Sequence, residues 1–225
     1  MMFQYAIARA YAERHGAILH VPPWIGQQIF ELPNHQDPIR LPNIGFDSFP
    51  NGRVDISLTG YFQYQEAVDM LSRTKLREWF RIQSRWHNLI KYVNIAAHLR
   101  RGDYLGIQHI FCIVSEQSYI NACRKIGKCP SDIFWVREDA PRKEHVPVGL
   151  EFLPDFLTLV HAKILLRANS TFSWWAGVLS DGEVYSPLVE DKKGHQDVEF
   201  IKGNWPRLID SCNSNTRTSD MHVPP

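Results

Sequence analysis

Apolar residues near the amino terminus recur at the spacing of an amphipathic helix. A helix over residues 2–15 buries one face, and Gly16 is placed to end it. The residues of that face are Phe3, Ala6, Ile7, Ala10 and Tyr11. The next apolar run, AILHV at 17–21, predicts a strand. Residues 22–60 are rich in proline, glycine and asparagine and predict irregular structure with short strands, whereas residues 65–89 predict a mostly helical stretch.

The second half of the chain alternates strand patterns with helix patterns. The predicted strands span residues 92–99, 132–136, 163–168 and 183–187. The predicted helices span residues 115–127, 154–162 and 171–179. The first of these strands is almost continuously apolar, which is typical of a parallel sheet covered on both faces. Alternation at this spacing implies right-handed crossovers and a doubly wound, Rossmann-like parallel sheet.

The pattern therefore predicts an α/β protein in three parts. Residues 91–209 form the expected nucleotide-binding lobe, and residues 1–90 a smaller, incomplete amino-terminal α/β lobe. Residues 210–225 are rich in serine, asparagine and threonine and end in two prolines. Because such a composition buries too little apolar surface to order itself, we expect a disordered tail there.

Composition and charge narrow the classes of partner. A chain of 225 residues with 44% hydrophobic residues can fill a core, and 25 basic against 24 acidic residues leave a net charge of only +1. With this balance, the protein as a whole has no positive electrostatic potential that would attract nucleic acid or an anionic membrane surface. Any anion must therefore bind through a local group of basic residues or helix amides. The four cysteines form no C-x-x-C pair, which argues against a zinc site or a disulfide scaffold, and no apolar run is long enough for a membrane span.

Three predicted strands are each followed by residues suited to a nucleotide diphosphate, at the carboxyl ends where such sheets bind ligands. Arg100 and Arg101 follow the first strand, and their planar guanidinium groups suit paired bonds to phosphate oxygens. Gly102 then lets the backbone turn sharply. Asp139, after the middle strand, is placed to accept hydrogen bonds from a nucleobase. The third strand leads into a helix start with phosphate-binding amides and hydroxyls, at Asn169, Ser170, Thr171 and Ser173.

Several nucleotide-binding motifs are absent from the sequence. There is no G-x-x-x-x-G-K-[ST] and no G-x-G-x-x-G after a strand, which argues against a P-loop NTPase and a dinucleotide dehydrogenase. There is also no Asp-x-Asp at a strand end to hold a metal-bound sugar nucleotide. If a diphosphate leaves in the reaction, arginines and helix amides must then stabilise its growing charge.

Three segments in order resemble the α-1,2-fucosyltransferases of glycosyltransferase family 11. They are MFQYAIARAYAERHG, HLRRGDY and ANSTFSWWAGVL. The resemblance spans roughly residues 2–206, with residues 22–90 only loosely covered. It implies a two-lobed GT-B-like architecture with an acceptor-side amino-terminal lobe. It further implies a GDP-β-L-fucose substrate, a galactose-type acceptor, inversion at the anomeric carbon and no cofactor or metal.

The resemblance also implies roles for individual residues. His98, Arg100 and Arg101 would lie at the sugar nucleotide, with an arginine on the diphosphate, and residues 169–173 would hold phosphate from the other side. Asp103 is the expected residue that receives or orients the proton of the acceptor hydroxyl, since an inverting displacement needs a base opposite the leaving group. His109 is the second candidate for this role.

Two departures from the family pattern accompany the resemblance. The family opens with a strand and a glycine-rich G-L-G-N-Q, whereas here Met1 stands in place of the glutamine, so we expect the first strand and its loop to be missing. The family also tends to carry S-D-D where this chain has Arg137, Glu138 and Asp139.

Other interpretations of the same residues stay open. The chain would alternatively be an inactive or fragmentary homologue that binds nucleotide or glycan without transfer, or a transferase that uses another GDP-sugar. The arginine pair would alternatively be a structural salt-bridge cluster, and Asp103 would tie down Arg101 or cap the loop. His109 would then be a loop histidine with local hydrogen bonds.

The expected partners are a GDP-sugar and a glycan acceptor, and not nucleic acid. With no membrane span in this chain, we expect at most a peripheral association with a membrane. A bacterial protein of this kind would act in the cytoplasm or at the membrane periphery, whereas an animal one would act in the Golgi behind an anchor that this chain lacks.

Overall fold

A computed structural model describes residues 1–34, 39–44, 54–63, 65–137 and 146–203. The chain divides into two units, Met1–Lys91 and Tyr92–Pro225. The tail predicted at 210–225 and the predicted site residue Asp139 lie outside the described residues. Within the described ranges, no helix combines the length and apolar character that crossing a bilayer requires.

The first unit begins with the predicted amphipathic helix. Helix α1 spans Met2–His15 and buries Phe3, Ile7 and Tyr11 on one side. Gly16 ends it in the left-handed conformation at φ 62°, which a residue without a Cβ adopts at little cost. The helix and its end at Gly16 are therefore confirmed, but burial extends beyond the predicted face, since Tyr5 and Ala12 are buried as well.

The rest of the first unit consists of short elements. They are helix α2 (Gly26–Ile29), strands β1 (Asn43–Ile44) and β2 (Ser57–Leu58), helices α3 (Gln65–Asp69) and α4 (Arg73–Trp79), and a 3₁₀ helix over Ser84–Leu89. Strands β1 and β2 pair in parallel.

One prediction for the first unit is wrong, and another holds in outline. The run 17–21 is not a strand, since only His20 makes a single bridge there. The two prolines that follow, Pro22 and Pro23, have no backbone N–H groups with which to extend a ladder. The stretch 65–89 is mostly helical, as predicted. It consists of α3, α4 and the 3₁₀ helix, because the Ser72 side chain caps a new helix by accepting a hydrogen bond from Lys75 N at 3.4 Å.

The second unit contains the predicted mostly parallel sheet. Its strands in chain order are β3 (Ile95–Leu99), β4 (Cys112–Val114), β5 (Ile133–Arg137), β6 (Ile164–Leu166), β7 (Glu183–Pro187), β8 (Gly194–Gln196) and β9 (Phe200–Lys202). Its helices are α5 (Glu116–Lys125), α6 (Leu153–His161) and α7 (Thr171–Leu179). The five-stranded sheet has the order β5-β3-β6-β7-β9, in which only β9 is antiparallel, while β4 and β8 form a separate parallel pair.

Helices cover both faces of this sheet at β3. All five residues of β3 are buried. Ala97 and Leu99 belong to one apolar cluster with Tyr119 of α5. His98 points to the opposite face, where its ring lies 5.3 Å from the ring of Phe172 on α7. The continuously apolar pattern of this segment therefore reflects burial on both sides.

Candidate functional site

The sheet brings the ends of three strands to one edge. Strand β3 pairs with β5 on one side and with β6 on the other, and all three run parallel. The register sets Leu99 opposite Arg137 and Ala97 opposite Leu166. Because neighbouring strands lie about 4.8 Å apart, the turns that follow β3 and β6 start side by side. The turn at Arg100 and Arg101 (the arginine turn) and the start of helix α7 therefore lie at the same edge, the one formed by the carboxyl ends of the strands.

Arg100 lies half-buried at this edge, where it contacts Asp103 and Tyr104. Its Nη2 pairs with Oδ1 of Asp103, which is 65% exposed. Its guanidinium carbon lies 4.9 Å from the centre of the Tyr104 ring, which in turn stacks on Phe111 at 4.7 Å. These contacts orient the guanidinium group while its carboxylate partner remains accessible to solvent.

Arg101 uses its side chain to fasten the same turn. Its Nη1 donates to Val114 O at 2.9 Å and to Arg100 O at 3.1 Å. The guanidinium therefore joins the end of β3 to the end of β4. Gly102, at φ 31°, follows and begins a 3₁₀ helix over Gly102–Gly106.

The start of helix α7 forms the second part of the edge. Ser170 is the N-cap, and its Oγ accepts a hydrogen bond from Phe172 N at 3.2 Å. The Ser173 hydroxyl is fully buried and accepts from Ala168 N at 3.1 Å, so it belongs to the interior of the turn. Thr171 is half-buried at the first position of the helix. The amino end of a helix carries a partial positive charge that favours an anion.

Two buried polar atoms at this edge have no hydrogen-bond partner among the described residues, His98 Nδ1 and Asn169 Oδ1. Each residue is only 3% exposed. Burial, with a smaller contribution from the positive charge of Arg100, lowers the pKa of His98 to about 3, so its imidazole is neutral at neutral pH. The backbone of His98 is held by the hydroxyl of Tyr119, which donates to His98 O at 2.8 Å.

The two candidates for the base differ in their surroundings. Asp103 lies beside Arg100 at the edge. His109 is exposed in the turn between the 3₁₀ helix and β4. That turn is bound to β8, because Gly194 N donates to Gln108 O at 2.7 Å. Geometry therefore links Asp103, but not His109, directly to the arginine turn.

Sequence reasoning did not single out Arg167, which directly follows β6. This arginine is 2% exposed, and burial lowers its pKa to about 9, an effect that the nearby Tyr119 partly offsets. Its Nε donates to Ser186 Oγ at 2.7 Å. The available signal was a single charged residue between the apolar ILL and the capping segment ANST.

A separate cavity of about 590 Å³ opens at the other edge of the sheet. It is lined by the carboxyl ends of α6 and α7 and by charged residues that include Lys163, Asp181 and Glu183. Lys202 pairs with Glu183 there at 2.8 Å. We place the candidate site at the carboxyl edge instead, because ligands of open α/β sheets bind there.

Two further findings complete the description of the site. Among the described residues, no group of three or more His, Cys, Asp or Glu side chains could hold a metal ion. Comparisons of the chain with protein-family models, curated proteins and solved structures found no match.

Proposed function

We propose that this chain is an inverting, metal-independent glycosyltransferase that transfers L-fucose from GDP-fucose to a galactose-type hydroxyl of a glycan, as an α-1,2-fucosyltransferase does. One observation carries the proposal. The turn at Arg100 and the amino end of α7 follow neighbouring parallel strands and so face the same space. In this proposal, two of the three segments that carry the family resemblance, HLRRGDY and ANSTFSWWAGVL, contribute to one site.

In this mechanism the pyrophosphate lies between a guanidinium group and helix amides. Arg100 exchanges its contact with Asp103 for a phosphate oxygen, and the first turn of α7 presents backbone N–H groups from the other side. The acceptor oxygen attacks the anomeric carbon as the bond to the phosphate oxygen breaks, and GDP leaves with that electron pair. The two positive groups stabilise the charge that GDP gains.

The proton of the acceptor hydroxyl passes to the carboxylate of Asp103 in this proposal. Asp103 is 65% exposed and pairs with Arg100, so it is accessible to an acceptor and close to the leaving group. His109 is the second candidate, and its exposed turn leaves it accessible as well.

The two-lobed GT-B-like architecture is part of the same proposal. The second unit provides the Rossmann-like sheet for the sugar nucleotide, and the first unit is the candidate acceptor-side lobe.

Binding without transfer is the second candidate function, and specific contacts favour it. The Nη1 group of Arg101 donates hydrogen bonds to two backbone carbonyls. The Ser173 hydroxyl is buried and bonded to the turn before α7. Two of the residues expected at the phosphates are thus engaged within the protein. A nucleotide would still find Arg100 and the helix amides.

A transfer assay separates the two functions. The protein is incubated with GDP-fucose, a β-galactoside acceptor and EDTA, and the product is identified by mass spectrometry and by its anomeric NMR coupling. We expect α-linked product at the same rate with and without EDTA. Arg100→Ala lowers the rate by about 100-fold or more, and Asp103→Asn by about 100-fold to 10,000-fold.

Arg124→Ala is the matched control, since it removes an exposed arginine from the last turn of α5. We expect it to transfer at the unaltered rate. GDP binding without any transfer supports the second candidate function. Neither binding nor transfer by a folded preparation would refute both.

A further inference from the structure

A buried arginine lies directly beneath the start of helix α7. Arg167 donates from Nε to Ser186 Oγ at 2.7 Å and from Nη1 to Ala168 O at 3.3 Å. Ser186 lies on β7, whose pairing with β6 sets Tyr185 opposite Leu166. The guanidinium group therefore joins the end of β7 to the first residue of the turn that leads into α7.

The same turn is joined to the helix through Ser173. The Ser173 hydroxyl lies 3.2 Å from Ala168 O and 3.3 Å from Ser170 O, and it accepts from Ala168 N at 3.1 Å. The carbonyl of Ala168 is thus approached by Arg167 from the sheet and by Ser173 from the helix. Because both side chains are buried, these bonds lie in a medium of low polarity that strengthens them.

We propose that Arg167 is a positioning residue that, through the Ala168 carbonyl, aims the first-turn N–H groups of α7 and the Asn169 side chain at the pyrophosphate of the nucleotide. This inference rests on the proposed function. Arg167 acts without touching the ligand. Its buried charge also adds to the positive potential at this edge, where the anion is bound.

The test compares four variants with the unaltered chain. Arg167→Met removes the charge and the bonds, Arg167→Lys keeps the charge without the planar fork, and Ser186→Ala removes one acceptor. Ile133→Ala is the matched control, because it creates a cavity at the amino end of β5, away from the carboxyl edge. Two readouts are taken for each variant, the Kd for GDP by calorimetry and amide hydrogen exchange of residues 168–174 without ligand.

We expect Arg167→Met to weaken GDP binding by about tenfold or more and to speed exchange at residues 170–174, since it removes hydrogen bonds from a buried charged group. Arg167→Lys should restore part of the affinity. Ser186→Ala should change both readouts in the same direction by less. Ile133→Ala should lower the melting temperature while both readouts at the edge stay unchanged.

Each outcome decides the proposal. Unchanged affinity and unchanged exchange in Arg167→Met would overturn it, as would an equal loss of affinity in Ile133→Ala. If Arg167→Met does not fold, Ser186→Ala compared with Ile133→Ala decides by the same criteria. If the unaltered chain binds no GDP, the proposed function fails, and the proposal that Arg167 aims α7 at a pyrophosphate fails with it. Exchange at 170–174 then shows only whether Arg167 orders the turn.

Discussion

The buried imidazole of His98 makes a specific prediction about stability in acid. Its pKa in the folded chain is lowered to about 3 by burial and, to a smaller extent, by the charge of Arg100. In the unfolded chain an exposed histidine has a pKa of roughly 6.5. Between these values the unfolded chain binds a proton that the folded chain excludes. Above pH 6.5 the neutral His98 therefore leaves the free energy of unfolding at its full value. The free energy of unfolding then decreases as the pH falls towards 3.

The magnitude follows from proton linkage. Each pH unit between the two pKa values is worth about 1.4 kcal/mol, so lowering the pH from 7.5 to 4.5 should reduce the free energy of unfolding by about 2 to 3 kcal/mol through His98 alone. Carboxylates contribute further losses over the same range. Those losses occur equally in a variant without the imidazole, so the difference between the two proteins isolates His98.

The assay is urea denaturation followed by tryptophan fluorescence at several pH values from 7.5 to 4.5, for the unaltered chain and His98→Gln. We expect the variant to lose less stability over this range, by about 2 to 3 kcal/mol. His195→Gln is the matched control, because His195 is an exposed histidine on β8 in the same unit. It should keep the pH slope of the unaltered chain. Parallel slopes for the unaltered chain and His98→Gln would refute the argument.

Three further substitutions, with Thr171→Ala as the control for one of them, test contacts within the second unit, each by denaturation at pH 7.5. Tyr119→Phe removes the hydroxyl that donates to His98 O at 2.8 Å and should cost about 1 to 2 kcal/mol, and no loss would mean that this bond contributes nothing. Ser170→Ala removes the cap of α7 and should cost about 1 kcal/mol, whereas Thr171→Ala, which leaves the cap intact, should cost less. Gly182→Ala would put a Cβ 2.3 Å from Ala162 O and 2.7 Å from Lys163 O, so we expect a loss of about 2 kcal/mol or more; a stable variant would contradict this close approach.

Four strands of the five-stranded sheet, β3, β5, β6 and β7, were predicted from sequence, whereas β9 was not. Burial on two faces leaves an apolar run that makes a strand predictable. Strands β3 and β6 are of this kind. Strand β8, with the sequence Gly-His-Gln, was missed because its partly or fully exposed side chains form no apolar pattern. The false strand at 17–21 shows the converse, since this apolar run, followed by two prolines, makes one bridge but no strand.

The residues at the edge were predictable in part for a similar reason. The start of α7 at Thr171 depends on its immediate neighbours in the chain, so the local pattern was sufficient to predict it. The partner of Arg101, Val114 O, lies 13 residues along the chain and is brought to it by the tertiary fold. The bond of Arg167 to Ser186 spans 19 residues. A local sequence pattern cannot predict such contacts between distant residues. These contacts nevertheless determine which arginine forms hydrogen bonds within the protein and which one can bind a ligand in the proposed function.

The central claim is that one nucleotide diphosphate contacts both strand ends at once. Hydrogen exchange with and without saturating GDP, in the presence of EDTA, tests it most directly. We expect slower exchange in two segments together, 99–106 and 168–176, and unchanged exchange at 180–185 beside the opposite cavity. Protection of only one of the two segments, or protection confined to 180–185, would contradict the account.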